Sequence, residues 1–180
     1  AGGMAVNADL VIDLLTGQSR QVLFPRLWES GIYWVTYGND GAVVTTSDWT
    51  GGSGSDQVRR YDPITDTTSI IGMLSEQSRP TASGDGSVIA IGEGSASSGR
   101  VYKYDVATRQ IVATGQYNQF SWIHPGVNRN GTQFTYSMDH ATYVLNSNLS
   151  QVIYTFGGAY LGPRPVAVVY HPAQDLMFLA

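Results

Sequence analysis

Arg79 and His124 stand 45 residues apart, and each directly precedes a proline. A guanidinium and an imidazole at matched positions bring a bidentate donor for anions and a group that titrates near neutrality. His140 follows Asp139, and a second histidine beside a carboxylate supplies the parts of an acid–base couple or a metal site. No HxH or HExxH spacing accompanies them, and three histidines in 180 residues is a background number. Aromatic residues crowd the same segments: Trp28, Trp49, Tyr117, Phe120, Trp122 and Tyr160, with Arg26 and Arg164. Arginine beside aromatic rings suits an anionic or sugar-like ligand, whereas the same rings serve equally as wedges between packed elements. The candidate ligand-binding set is therefore Arg79, His124, His140, Trp122 and Trp49. No catalytic residue, metal ligand or cofactor is assigned.

The elements that must hold these residues show as a repeat. Asp40-Gly41, Asp85-Gly86 and Asn130-Gly131 are spaced by 45 residues, and each lies between two short alternating runs. Such dipeptides accept positive φ, which tight hairpins demand. One further step reaches Ala173–Asp175, in the run VAVVYHPAQDLMFLA. A second series interleaves with the first: Asp13, Asp62 and Asp105 each precede a threonine by three residues, and Asn146 opens a degenerate fourth copy. An Asp or Asn side chain in that place accepts from backbone amides two residues on and fixes a turn. Two interleaved series of about 45 residues, with four strand-like runs per unit, predict a β-propeller.

The segment VVYHPAQDLMFLA resembles the first two strands of a WD-repeat blade, and VYKYDVATRQIVATG resembles the last two. The likeness is to the broad superfamily of WD-repeat-like and related bacterial propellers. The Trp-Asp dipeptide is replaced by Tyr61-Asp62 and Tyr104-Asp105. With strands named A to D from the axis outward, the chain begins at C (Asp9–Asp13) and D (Gln18–Phe24). Three blades follow over Gly31–Leu74, Pro80–Gln116 and Pro125–Phe156, and the chain ends on A and B within Pro165–Ala180. The expected fold is all-β: one domain over residues 1–180, of about four four-stranded blades. Three closures stay open: a piece of a larger propeller, a homodimer forming an eight-bladed ring, or a four-bladed ring whose termini share a blade. In the last two, strand B near Leu176–Leu179 pairs with strand C near Leu10–Asp13. The D-to-A loops, which include Arg79 and His124, and the B-to-C loops, which contribute Asp48, Trp49, Glu93, Asp139 and His140, carry the candidate site, whereas His171, in an A-to-B turn, is read as structural. Trp122-Ile123-His124-Pro125 followed by Asn130-Gly131 also resembles the blade entrance of oligogalacturonate-lyase-type propellers. That likeness implies a metal and an acidic sugar near His124.

Composition narrows the functions. A net charge of −4 with 13% charged residues argues against an electrostatic nucleic-acid binder. The chain lacks cysteine, and no apolar run approaches the ~20 residues that span a bilayer as a helix. Its first residues, Ala1–Met4, show no charged and apolar leader, as a mature secreted chain or an excised piece would not, and the expected setting is extracellular or surface-exposed. A lysine-poor surface rich in Tyr, Thr and Gly is consistent with a role in a surface or particle assembly. The expected function is a non-enzymatic binding or assembly module for a protein or glycan partner. The alternative is a carbohydrate-active enzyme using His124 or His140 with Arg79.

Overall fold

The structure, a computed structural model, describes residues 6–12, 14–25, 32–47, 56–74, 78–93, 99–117, 124–138, 141–157 and 168–179. All regular elements among them are strands. An N-terminal pair, β1 (Val6–Ile12) and β2 (Ser19–Pro25), is followed by three four-stranded antiparallel sheets. Blade I holds β3 (Ile32–Tyr37), β4 (Val43–Ser47), β5 (Asp56–Asp62) and β6 (Thr67–Leu74). Blade II holds β7 (Ser78–Ala82), β8 (Val88–Glu93), β9 (Gly99–Asp105) and β10 (Gln110–Tyr117). Blade III holds β11 (His124–Val127), β12 (Phe134–Met138), β13 (Ala141–Leu145) and β14 (Val152–Gly157). A last pair, β15 (Val168–Tyr170) and β16 (Met177–Leu179), ends the described chain. The strand frame read from the sequence is met within a few residues at every boundary.

Alternation along the B strands creates the core. Every residue of β8 is buried. Ile89 and Ile91 pack with Val44, Val58 and Leu74 of blade I. Val88 and Ala90 pack with Val127, Phe134 and Leu145 of blade III. A strand with period-2 side chains can be apolar on both sides only when a sheet covers each face.

The turns obey the two series. Gly41, Gly86 and Gly131 take φ of 75°, 70° and 67°, the left-handed region where a Cβ is penalised. In the C-to-D turns, Asp62 Oδ1 accepts from the amides of Ile64 (3.0 Å) and Thr65 (3.3 Å). Asp105 Oδ1 accepts from the Thr108 amide (2.7 Å) and hydroxyl (2.8 Å), and Asn146 Oδ1 from the Ser150 amide (3.0 Å). Asp13 lies outside the described residues. Blade I adds an ion pair between turns, with Arg60 Nη2 2.7 Å from Asp40 Oδ2 and its Nη1 3.5 Å from Asp62 Oδ2.

One expectation is not met within the chain. β1 pairs only with β2, and β16 only with β15. Each half-blade is held by its own neighbour instead. Arg20 on β2 bonds Asp66 and the Pro63 carbonyl of blade I. Val168 is buried beside Gly126 of blade III.

Asp105→Ala removes two hydrogen bonds from one turn and is expected to cost about 1 kcal/mol, read as a lower urea midpoint. The Thr108 amide, then its hydroxyl, hold the Asp105 carboxyl below its ordinary value of 3.8, and the Ile64 and Thr65 amides do the same for Asp62. A folded pKa below the unfolded one stabilises the fold above the ordinary carboxylate value, and the contribution disappears as pH falls through the lowered one. The wild-type midpoint is therefore expected to drop between pH 5 and pH 2. In Asp105→Ala the drop is expected to be smaller.

Candidate functional site

The A-to-B turns meet at one end of the sheets. The Asn39 amide donates to the Gly86 carbonyl, and the Asp85 amide to the Arg129 carbonyl, both at 2.9 Å. Gly84 sits so close to Pro172 that a Cβ on it would lie 2.4 Å from the Pro172 carbonyl oxygen. These turns come from blades I, II and III and the last strand pair, so the four A strands run into a common end. Between them lies a cavity of about 660 Å³, whose lining includes Thr36, Thr81, Gly126 and Tyr170. His171 belongs to the converging end, where its Nδ1 accepts from the Ala173 amide at 3.1 Å. It braces a turn, as the sequence suggests.

Arg79 and His124 lie at the other end, near the starts of β7 and β11. Both belong to strands and not to the preceding loops, a correction to the sequence reading. The reason is the position of β7 and β11 at the innermost edge of their sheets. Pro80 and Pro125 have no N–H to give, and an edge strand tolerates that. Pairing therefore extends past both prolines, to Arg79 opposite Gly92 and His124 opposite Ser137.

The guanidinium of Arg79 lies over the ring of Trp34, 4.4 Å from its centroid. Trp34 is on β3 of blade I, so the contact joins neighbouring blades. This side chain was missed from the sequence, although its signal was present: Trp34 precedes Arg79 by the same 45 residues that separate Arg79 from His124. One repeat position thus carries Trp34, Arg79 and His124 in successive A strands. Stacking uses the face of a guanidinium and carboxylate recognition uses its edge, so one arginine can serve both.

Glu93 also departs from expectation. It ends strand β8 opposite Ser78, fully buried, and does not hang in a B-to-C loop. The Tyr102 hydroxyl donates to its Oε2 at 3.3 Å. Burial, opposed by Arg100, raises the Tyr102 pKa, and the bond to Tyr102 with the nearby Glu93 charge raises that of Arg100. Glu93, Tyr102 and Arg100 form a polar cluster within blade II, at the end of the sheet that carries Arg79. His140, Trp122 and Trp49 fall outside the described residues, as do Trp28, Asp48 and Asp139. Among the described residues no group of three His, Asp or Glu side chains is placed to hold a metal ion.

No family model and no curated protein sequence matches the chain. Solved structures do. The Dos1 propeller aligns over 84% of this chain and 42% of its own, with a TM-score of 0.67 at 18% identity. The β-propeller domain of Myceliophteria thermophila Cps50 (Swd1) aligns over 96% and 60%, with a TM-score of 0.69 at 12% identity. A chain of the mitotic checkpoint complex aligns over 77% and 41%, with a TM-score of 0.59 at 17% identity. The fold is that of a β-propeller, in about four blades, and the chain spans 41–60% of the length of these three.

Arg79→Ala removes the stack on Trp34 and is expected to destabilise the fold by about 0.5–2 kcal/mol. Arg79→Lys is expected to retain part of that. Chemical denaturation of the two variants checks the order, and an unchanged midpoint in Arg79→Ala would show the stack to be energetically idle.

Proposed function

We propose that this chain is a non-enzymatic binding module that engages a protein partner through the end of its channel opposite the converged A-to-B turns. The carrying observation is Arg79 stacked on Trp34 at a repeat position that His124 occupies in the next blade. A cation backed by an aromatic face, at a repeat position that an imidazole takes in the next blade, suits a partner segment that presents a carboxylate and an apolar side chain. His140, Trp122 and Trp49 belong to the segments that flank this end in sequence, and they complete the proposed surface. Propeller folds host many unrelated functions, so the reading rests on these residues and not on the architecture.

The test uses a panel of short synthetic peptides, acidic and neutral, with and without tryptophan, against the whole chain. Acidic aromatic peptides are expected to bind best. Arg79→Ala is expected to weaken them by roughly 10–100-fold, the equivalent of a charge-assisted hydrogen bond, and His171→Ala to leave them unchanged. Equal binding by Arg79→Ala would remove the site. Oligogalacturonate is tested in parallel: cleavage of it, or binding tighter than to any peptide, would replace this reading with the carbohydrate-active one.

A further inference from the structure

Two consecutive residues of β7 are held from one place on blade I. Trp34 on β3 and Thr46 on β4 are cross-strand partners in the register of that blade. Partners of this kind put their side chains on the same face of the sheet, close enough to touch. The Trp34 ring carries the Arg79 guanidinium, 4.4 Å from its centroid. The Thr46 hydroxyl donates to the Ser78 carbonyl at 2.6 Å. A side chain of blade II and the main chain next to it are thus fixed together from blade I.

The two contacts differ in exposure. Thr46 and Ser78 are fully buried, while Trp34 is 40% exposed. A hydrogen bond inside the protein is strengthened by its low-dielectric surroundings, and a buried carbonyl that loses its donor is costly. An arginine, in contrast, stands on a long stem with many rotamers, so a stack alone leaves several ways to hold the guanidinium. Strand β7 is also paired on one side only, with β8, and Ser78 and Arg79 take the last two pairs of that ladder. The bond from Thr46 adds a hold from outside the ladder at that point.

The repeat assigns this device to one blade boundary. The residues equivalent to Thr46 are Gly92 in blade II, opposite Arg79, and Ser137 in blade III, opposite His124. Gly92 has no side chain to offer the next blade. The Ser137 hydroxyl stays within its own sheet, 2.8 Å from that of Thr142. Of these three positions among the described residues, Thr46 is the one that bonds the main chain of the following blade, and it does so beside the arginine.

We propose that Thr46 is the positioning residue for Arg79, an inference that rests on the reading of Arg79 as the partner-binding side chain. By fixing the Ser78 carbonyl, Thr46 sets the place and direction from which the Arg79 stem leaves β7. The guanidinium then lies on Trp34 before a partner arrives. A carboxylate meets an ordered cation, and less freedom is lost on binding.

The test reads the stack and the binding separately. In the NMR spectrum of the whole chain the Trp34 ring shifts the Arg79 Nε proton. Arg79→Lys assigns that signal, and Trp34→Leu gives its position without the stack. Thr46→Val keeps the shape and removes the hydroxyl. It is expected to move the signal toward its position in Trp34→Leu and to weaken the acidic aromatic peptides by about three- to tenfold, the equivalent of one hydrogen bond. Thr46→Ser, which keeps the hydroxyl, is expected to restore both. An unmoved signal in Thr46→Val, or one equally displaced in Thr46→Ser, would overturn the proposal whatever the peptides do. So would peptide binding that is lost in Arg79→Ala but intact in Thr46→Val. Binding intact in Arg79→Ala as well would instead remove the partner-binding reading, while the signal still decides whether Thr46 places the guanidinium. If Thr46→Val does not fold, the parent chain decides. Its Thr46 hydroxyl proton is expected to exchange slowly with water, and exchange as fast as that of an exposed threonine would overturn the proposal.

Discussion

Blade stability rests on covering both faces of strand B. In β8 six consecutive residues are buried, and alternate ones serve different neighbours. Burial of a Val, Leu or Ile side chain is worth about 1.5–3 kcal/mol, so a blade with one bare face forfeits several such contributions at once. The innermost position shows it: Pro80 and Pro125, buried in blades II and III, become an exposed Val35 in blade I. Each blade is in this sense a part of its neighbours' core. The Trp34–Arg79 contact extends the same dependence to the channel, since its two partners come from different blades.

Turn chemistry keeps this mutual packing in register. One residue of slip along a strand would exchange the side chains facing the two neighbours and void both interfaces. Two devices oppose the slip at opposite ends of each blade. The left-handed glycines set the A-to-B hairpins, and Asp or Asn side chains tie down the C-to-D turns. Asp66, Arg109 and Leu149 carry positive φ in those C-to-D turns, at 54°, 59° and 61°, without being glycine. The side-chain bonds from Asp62, Asp105 and Asn146 help hold that less favoured backbone in place.

Turn residues are chosen by backbone geometry, which leaves few alternatives, so their 45-residue period reads directly from the sequence. The strand frame and the structural role of His171 were legible for that reason. Interior strand positions accept almost any side chain that fits its neighbours. Trp34 at the Arg79 position gives no such signal, because Trp and Arg share no chemical type, only a repeat position. The glycine and serines that follow Glu93 read as a loop. The ladder in fact runs to Ser78, and the carboxylate is accommodated by the Tyr102 hydroxyl. The prolines after Arg79 and His124 read as strand boundaries, which puts both residues in loops. That rule lapses on an edge strand.

The two ends of the channel therefore carry different constraints. At the A-to-B end, backbone meets backbone: amide–carbonyl bonds link successive turns, and Gly84 leaves no room for a side chain above Pro172. At Gly84 and Gly86, which lie against the backbone of neighbouring turns, a side chain would disturb closure of the inner strands. At the opposite end, the repeat position fixes only where a side chain emerges, and the chain has placed an indole, a guanidinium and an imidazole there. Packing demands only that successive residues stack acceptably across the blade boundary, as Arg79 does on Trp34. Side-chain chemistry can diversify at that end because the converged turns at the other have already set the spacing and direction of the A strands.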